Sequence, residues 1–351
     1  MASYIRRRKF LATLLSGAAV AWPLAARAQQ SERMRRIGVL MNLAESDPEG
    51  QARIAAFREG LAKLGWTEGR DVQIEYRWFA GEQERASAYA AELVQFKPDV
   101  IFAGTAPSLA ALQRETRSLP VVFAQVSDPV GAGFVASLAR PGSNITGFAQ
   151  YEYAIGVKWL ELLNQIAPQV TRTAVIYDPT NPEVKGYLPV IKAAARSFGM
   201  QLSIAAVRDA AEIEHAIEEF AREPNGGLIP LPSPLMAIRR DLIISLARRH
   251  RLPNVSAFRY YPISGGLASY GVDNIDLYRR AASYVDRILK GEKPADLPIQ
   301  QASKFELVIN LKTAKALGLD PPISLLARTD VRLRPRCRSS SPWWTIRSAW
   351  A

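Results

Sequence analysis

Short apolar runs alternate along this chain with stretches of helical period, and the alternation occurs twice in succession. The first series opens at residues 37–41 (Ile-Gly-Val-Leu-Met), a continuous apolar run of the kind shown by a strand covered on both faces. Asp47 and Pro48 then supply an N-cap and a first-turn proline; Ile54, Phe57, Leu61 and Leu64 repeat at helical spacing, and Gly65 can end the helix. Val72, Ile74, Tyr76 and Trp78 alternate with polar residues, which predicts a strand with one wetter face at a sheet edge. Further strands at 100–103 and 121–126 flank a helical stretch at 108–117. Parallel strands need crossovers, and helices occupy them, so a doubly wound sheet is expected. The series repeats with strands at 174–177, 202–207, 227–231 and 254–258, and with helices near 183–198, 210–222 and 235–250. A single domain rarely exceeds about 250–300 residues. At 351 residues, the predicted fold class is therefore α/β, with two doubly wound, Rossmann-like lobes joined by a hinge.

Residues 144–148, after the breaker Pro141-Gly142, suit a first crossing between lobes, and 265–271 suit a second. The latter leads into a helix with Leu277, Ala281, Val285 and Ile288 on one face, stopped by Gly291. The expected boundaries are 34–145 plus about 265–300 for lobe 1 and 146–264 for lobe 2. A late strand at 305–309 and a helix at 311–317 leave 301–328 unassigned.

The net charge is +12, but each end of the chain is a block of +5 without an acid, and subtracting both leaves +2 for residues 29–330. Nucleic-acid binding needs a basic stripe on the folded body, and a body near neutrality gives none, so no nucleic-acid partner is expected. The first basic block, Arg6-Arg7-Arg8-Lys9, precedes thirteen apolar-rich positions and then Ala26-Arg27-Ala28, the pattern of a cleaved export signal over 1–28. Arg7-Arg8-Lys9-Phe10-Leu11 resembles the twin-arginine form of that signal. The apolar stretch is shorter than the roughly 20 residues of a membrane span, which predicts a soluble periplasmic protein with no stable membrane insertion. The single cysteine, Cys337, lies in the tail, so the body has neither a disulfide nor a thiolate.

Residues that could carry catalysis are sparse. His215 falls opposite the Ile213, Ile217, Phe220 stripe and reads as solvated; His250 sits where an imidazolium complements the end of a helix. Gly131-Ala132-Gly133-Phe134-Val135-Ala136 fits a dinucleotide fingerprint, but it follows the fourth strand and Pro141-Gly142 soon breaks any helix. A tight turn is the better reading, and no cofactor, metal or enzymatic activity is expected.

Polar and proline-rich segments instead gather at the carboxyl ends of the strands, where open α/β sheets bind ligands. In lobe 1 they present Asn42, Thr105, Ser127 and Asp128; in lobe 2, Tyr177, Asn181 and Ser233, with Tyr270 added from the second crossing. Prolines 107, 129, 179, 182, 232 and 234 fix these loops, so short polar groups are offered at little ordering cost. Taken one at a time, the same residues are also ordinary caps and turn formers. Their coincidence on both lobes predicts a cleft that closes on a small molecule.

Three segments carry a family resemblance: Asp128-Pro129-Val130-Gly131-Ala132-Gly133, the run from Ser137 to Gly147 (SLARPGSNITG), and the run from Lys304 to Lys315 (KFELVINLKTAK). With Gly266 to Tyr270 and Leu277 to Ala282, they are similar to the tryptophan-transporter-type substrate-binding proteins of ABC importers, over about residues 34–328. The resemblance implies a type I periplasmic-binding-protein fold and a monomer that delivers a small solute, in some cases an aromatic amino acid, to a permease driven by a separate ATPase. A ligand-sensing protein that signals to a membrane partner is the alternative. Relatives end in a short acidic segment after the equivalent of Arg328, whereas this chain runs on with five arginines. Residues 329–351 are therefore expected to form a basic, disordered tail, with a docking role through Trp343, Trp344 and Trp350 as the rival reading.

Overall fold

The computed structural model describes residues 34–333. The export-signal reading at 1–28 and the tail from 334 onward lie outside the described residues.

The first series is β1 (Arg35–Met41), α1 (Pro48–Lys63), β2 (Val72–Trp78), α2 (Gln83–Gln95), β3 (Val100–Ala103), α3 (Ala106–Glu115), β4 (Val121–Val126) and β5 (Ile145–Ala149). The second continues with α4 (Ile155–Ile166), β6 (Arg172–Tyr177), α5 (Val184–Ser197), β7 (Gln201–Ala206), α6 (Ala210–Phe220), β8 (Gly226–Pro230), α7 (Pro234–Ile238), α8 (Arg240–Arg249), β9 (Val255–Ser256), α9 (Tyr260–Ile263) and β10 (Ala268–Val272). Then follow α10 (Asn274–Leu289), β11 (Gln300–Gln301), β12 (Phe305–Asn310), α11 (Leu311–Ala316), α12 (Ile323–Ala327) and β13 (Val331–Leu333).

Lobe 1 is one parallel sheet in the order β11-β5-β4-β3-β1-β2. Its central strands are buried along most of their length because alternate residues enter two separate cores. Val39, Met41, Phe102 and Val122 meet Phe57 of α1 and Tyr278 of α10. Leu40, Ile101, Val121 and Phe123 meet Leu93 of α2 and Leu109 and Leu112 of α3. Lobe 2 holds two sheets, β7-β6-β8 and β13-β12-β10-β9, which a parallel bridge from Leu228 to Asn254 runs together.

The crossings differ from those expected. Residues 144–148 and 265–271 are not linkers: all five residues of β5 are buried, and β10 pairs with both β9 and β12. A Cβ on Gly147 would lie 2.2 Å from the Phe123 carbonyl oxygen, and one on Gly271 2.0 Å from that of Ala257, so both glycines sit where backbones close up inside a sheet. The chain instead crosses after each of these strands, at 150–154 and at Asp273, and a third time at 302–304 between β11 and β12. The helix α10 thereby returns to lobe 1 and packs on α1, where a Cβ on Gly60 would meet the Arg279 carbonyl oxygen at 2.5 Å. The unassigned strand at 305–309 joins lobe 2, antiparallel to β10.

The tail expectation also needs correction at its start. Val331–Leu333 pairs in parallel with β12, and Asp330 both donates its N–H to the Leu307 carbonyl and accepts the Leu307 N–H on its carboxylate. Val331 and Leu333 are partly buried and alternate in sequence with Arg332, the period-2 pattern of an edge strand.

Candidate functional site

The carboxyl ends of β1, β3 and β4 in lobe 1 face those of β6, β8 and β9 in lobe 2 across a narrow cleft. Of the residues expected there, Asn42, Thr105, Asn181 and Ser233 line it. Thr105 shares a hydrogen bond with Ser108 at 3.1 Å, and Asn181 donates to the Pro232 carbonyl at 2.6 Å. Ser233 caps α7 by accepting the Met236 N–H at 3.1 Å. Ser127 lies fully buried beside the cleft, where its hydroxyl meets Tyr187 at 2.7 Å and accepts from Gln150 at 2.9 Å.

Three expected residues fall elsewhere. Asp128 turns into a neighbouring cavity on the hinge side, with Tyr151, Glu152 and Tyr153, and caps its own turn by accepting the Gly131 N–H. Its φ of 36°, two residues past β4, is left-handed, which a non-glycine residue rarely adopts. Tyr177 is half-buried against the core of lobe 2. Tyr270 points along the face of β10 where it stacks on Phe305, with ring centroids 5.8 Å apart. A strand end fixes where a Cα sits, but the pleat decides which way its side chain faces.

The centre of the cleft belongs to residues that the sequence reading missed. Arg53 on α1 is 1% exposed, an unusual place for a guanidinium. Its Nε pairs with Glu49 at 2.9 Å, its Nη1 donates to the Gln125 amide oxygen at 2.7 Å, and the group lies over the Tyr278 ring at 5.7 Å. Among the described residues, Nη2 has no hydrogen-bond partner. Gln125 reaches Arg53 because β4 bulges between Ala124 and Val126 and takes a φ of 54° there, a costly conformation for a non-glycine residue. Asn42 Oδ1, Gln150 Oε1 and Tyr260 Oη are likewise buried and without a partner among the described residues, and all three residues line the same cleft. Native interiors leave few polar groups unpaired, so four in one cleft mark a place built to receive a polar ligand. A signal was present in the sequence for two of these residues: Arg53 interrupts the apolar face of its helix, and Gln125 interrupts an apolar strand.

Besides the Ser127–Tyr187 hydroxyl contact, two contacts tie the lobes together. At the mouth, Arg240 Nη1 meets Asp47 Oδ2 at 2.7 Å, with the guanidinium 5.6 Å from the Tyr260 ring. Deeper, the backbone N–H of Ser127 donates to Glu183 Oε1 at 2.5 Å. Burial pushes the Glu183 carboxyl up to about 7; hydrogen bonds from Ser127 restrain the rise and the Asp128 carboxylate adds to it. Burial also raises Tyr260, Tyr151 and Tyr187, so all three phenols keep their protons.

The sequence model of a family described as ABC transporter substrate binding protein matches residues 37–332. A Clostridioides difficile (strain R20291) protein named Tyrosine-binding protein is 25% identical over 289 residues, which is 82% of each chain. Among solved structures, an ABC domain from Streptococcus pneumonia in complex with L-Trp matches at a TM-score of 0.79 with 26% identity, over 86% of this chain and 100% of that one. The ligand-free, open structure of a substrate-binding protein with adhesive properties from Clostridium difficile matches at 0.62 with 25% identity, over 85% and 98%. With the family match spanning most of the sequence, and a type I periplasmic-binding-protein architecture built around a polar cleft, this chain belongs to the ABC transporter substrate-binding protein family.

Proposed function

We propose that this solute-binding protein captures an amino acid with an aromatic side chain in the periplasm, after export by a cleaved signal, and hands it to an ABC permease. The observation that carries the reading is Arg53: a fully buried guanidinium, fixed on two sides, that lines the cleft and whose Nη2 has no partner among the described residues. A carboxylate is the group such a fork recognises best. Phe258 and Tyr260, stacked with centroids 5.2 Å apart, form an aromatic wall of the same cleft. The tyrosine and tryptophan relatives fit the same chemistry. Asn42, Thr105, Asn181 and Ser233 would supply short polar contacts around the solute.

Thermal melts with L-tyrosine, L-tryptophan and a panel of other amino acids, sugars and nucleosides test this. A ligand at a hundred times its Kd stabilises by about 2.7 kcal/mol, enough to move the melting temperature by several degrees. The expected result is a shift with an aromatic amino acid that Arg53→Met abolishes. No shift with any amino acid would remove the reading.

A further inference from the structure

We propose that Glu183 receives the ammonium group of the captured solute and that capture is therefore linked to release of a proton from Glu183. This rests on the amino-acid reading above and deepens it. Glu183 lines the cleft from lobe 2 and is 4% exposed, yet among the described residues no cation pairs with it. Buried carboxylates are paired in native proteins, because an isolated one cannot recover the hydration it loses. The cation missing beside Glu183 is of the kind an α-amino acid brings. Arg53 contributes the complementary charge from lobe 1, so a zwitterion would satisfy one group on each lobe and favour their contact.

The surroundings of Glu183 make the linkage directional. From lobe 1 it faces the Ser127 N–H and, one residue on, the Asp128 carboxylate; from the 150–154 crossing, Tyr151 and Tyr153; from its own helix, Tyr187. Arg53 and Tyr260 line the same cleft. The three tyrosines nearest Glu183 are held neutral by burial, and Asp128 repels the ionised form, so the neutral acid persists up to about pH 7 in the absence of solute. An entering ammonium reverses the balance: the carboxyl O–H bond breaks, the proton leaves to buffer, and the carboxylate accepts from the solute's N–H groups. Affinity then rises about tenfold per unit of pH up to about 7 and levels off above it.

Isothermal titration of the whole protein with L-tryptophan at pH 5.5, 6.5 and 8, at each pH in two buffers that titrate near that pH and differ in ionisation enthalpy, counts the protons directly. The expected result is release approaching one proton per bound solute at pH 5.5 and near zero at pH 8. Glu183→Gln, an isostere that cannot ionise, is expected to bind roughly 30-fold more weakly at pH 8 and to lose the pH dependence. Tight binding by wild type with no buffer-dependent heat, or a pH profile that Glu183→Gln leaves intact, would overturn the proton linkage while leaving the amino-acid reading standing. Absence of binding by every amino acid at all three values would overturn both. The wild-type proton count needs no variant to fold.

Discussion

The ion pair at the mouth of the cleft should act on closure rather than on folding. Arg240 and Asp47 meet at 2.7 Å with side chains only 15% and 11% exposed, which places the pair between the exposed and the buried limits. Two unit charges about 4 Å apart attract by roughly 4 kcal/mol at an effective dielectric near 20, before desolvation is charged against them. Exposed pairs net about 0–1 kcal/mol, whereas removing one partner of a buried pair costs about 3–5, so a net of about 1–2 kcal/mol is expected here. Asp47 also caps α1, accepting the Glu49 N–H at 2.9 Å. Asp47→Asn preserves that acceptor and removes only the charge. If the pair forms only when the lobes meet, solute affinity falls about 5- to 30-fold, chiefly through faster dissociation. Unfolding of the ligand-free chain in urea should move by less than about 0.5 kcal/mol, as for an ordinary surface substitution. A cycle of Asp47→Asn, Arg240→Gln and the double variant, read by L-tryptophan titration and stopped-flow fluorescence, measures the coupling. A coupling below about 0.3 kcal/mol, within the scatter of independent sites, would refute the closure argument. So would an equal loss in ligand-free unfolding, which would mean that the lobes are already clasped without solute.

Ending the chain at Arg328 instead of Leu333 removes β13 and the two hydrogen bonds between Asp330 and Leu307, and should cost about 1–3 kcal/mol in urea unfolding; no loss would mean that the edge strand is idle. Glu183 should also shape the pH profile of the ligand-free chain. Its folded value near 7 lies above the ordinary carboxyl range, so the folded state holds a proton that the unfolded chain has released, and stability falls as pH rises from about 4.5 to about 7. Urea unfolding of wild type minus that of Glu183→Gln isolates this contribution. The difference should shrink with rising pH by up to about 3 kcal/mol at 1.36 per pKa unit, and a flat difference would contradict the buried, unpaired carboxyl.

The sequence carried the repeating strand–helix order, the position of each sheet's central strands and the side of the sheets that holds the cleft, because all three follow from apolar period and strand direction. It misplaced the crossings for a physical reason. A five-residue apolar run such as 145–149 reads alike as a last strand or a linker, and only its partners decide; for β5 they are β4 and the two residues of β11, some 150 positions later. Asn42, Thr105, Asn181 and Ser233 were legible because strand-end turns place them in the cleft whatever their neighbours do. Arg53 was passed over because the Ile54, Phe57, Leu61 stripe next to it has the stronger period. Glu183 was hidden because its environment is made by Ser127 and Asp128 of the other lobe, 56 positions away in the case of Ser127.

The return of α10 to lobe 1 explains why Arg53 can be a recognition group at all. A long side chain left to itself spends up to about 2 kcal/mol of rotamer entropy when a ligand fixes it. Here that ordering is complete beforehand: Glu49 holds Nε from the same helix, Gln125 holds Nη1 from the bulged end of β4, and Tyr278 of α10 lies beneath the guanidinium. Tyr278 is itself fixed, donating its hydroxyl to the Gly104 carbonyl at 2.7 Å, where a Cβ on residue 104 would come within 2.6 Å of that oxygen. The same tyrosine therefore braces both Arg53 and the turn that presents Thr105. Among the described residues, what stays without a partner is one nitrogen of one planar fork. A lysine at position 53 would offer a single point charge on a flexible stem and could not engage Glu49, Gln125 and a carboxylate in one geometry. Preorganisation thus accounts for three features at once: the unusual burial of Arg53, the strained φ of Gln125 and a helix delivered to lobe 1 by a second crossing of the chain.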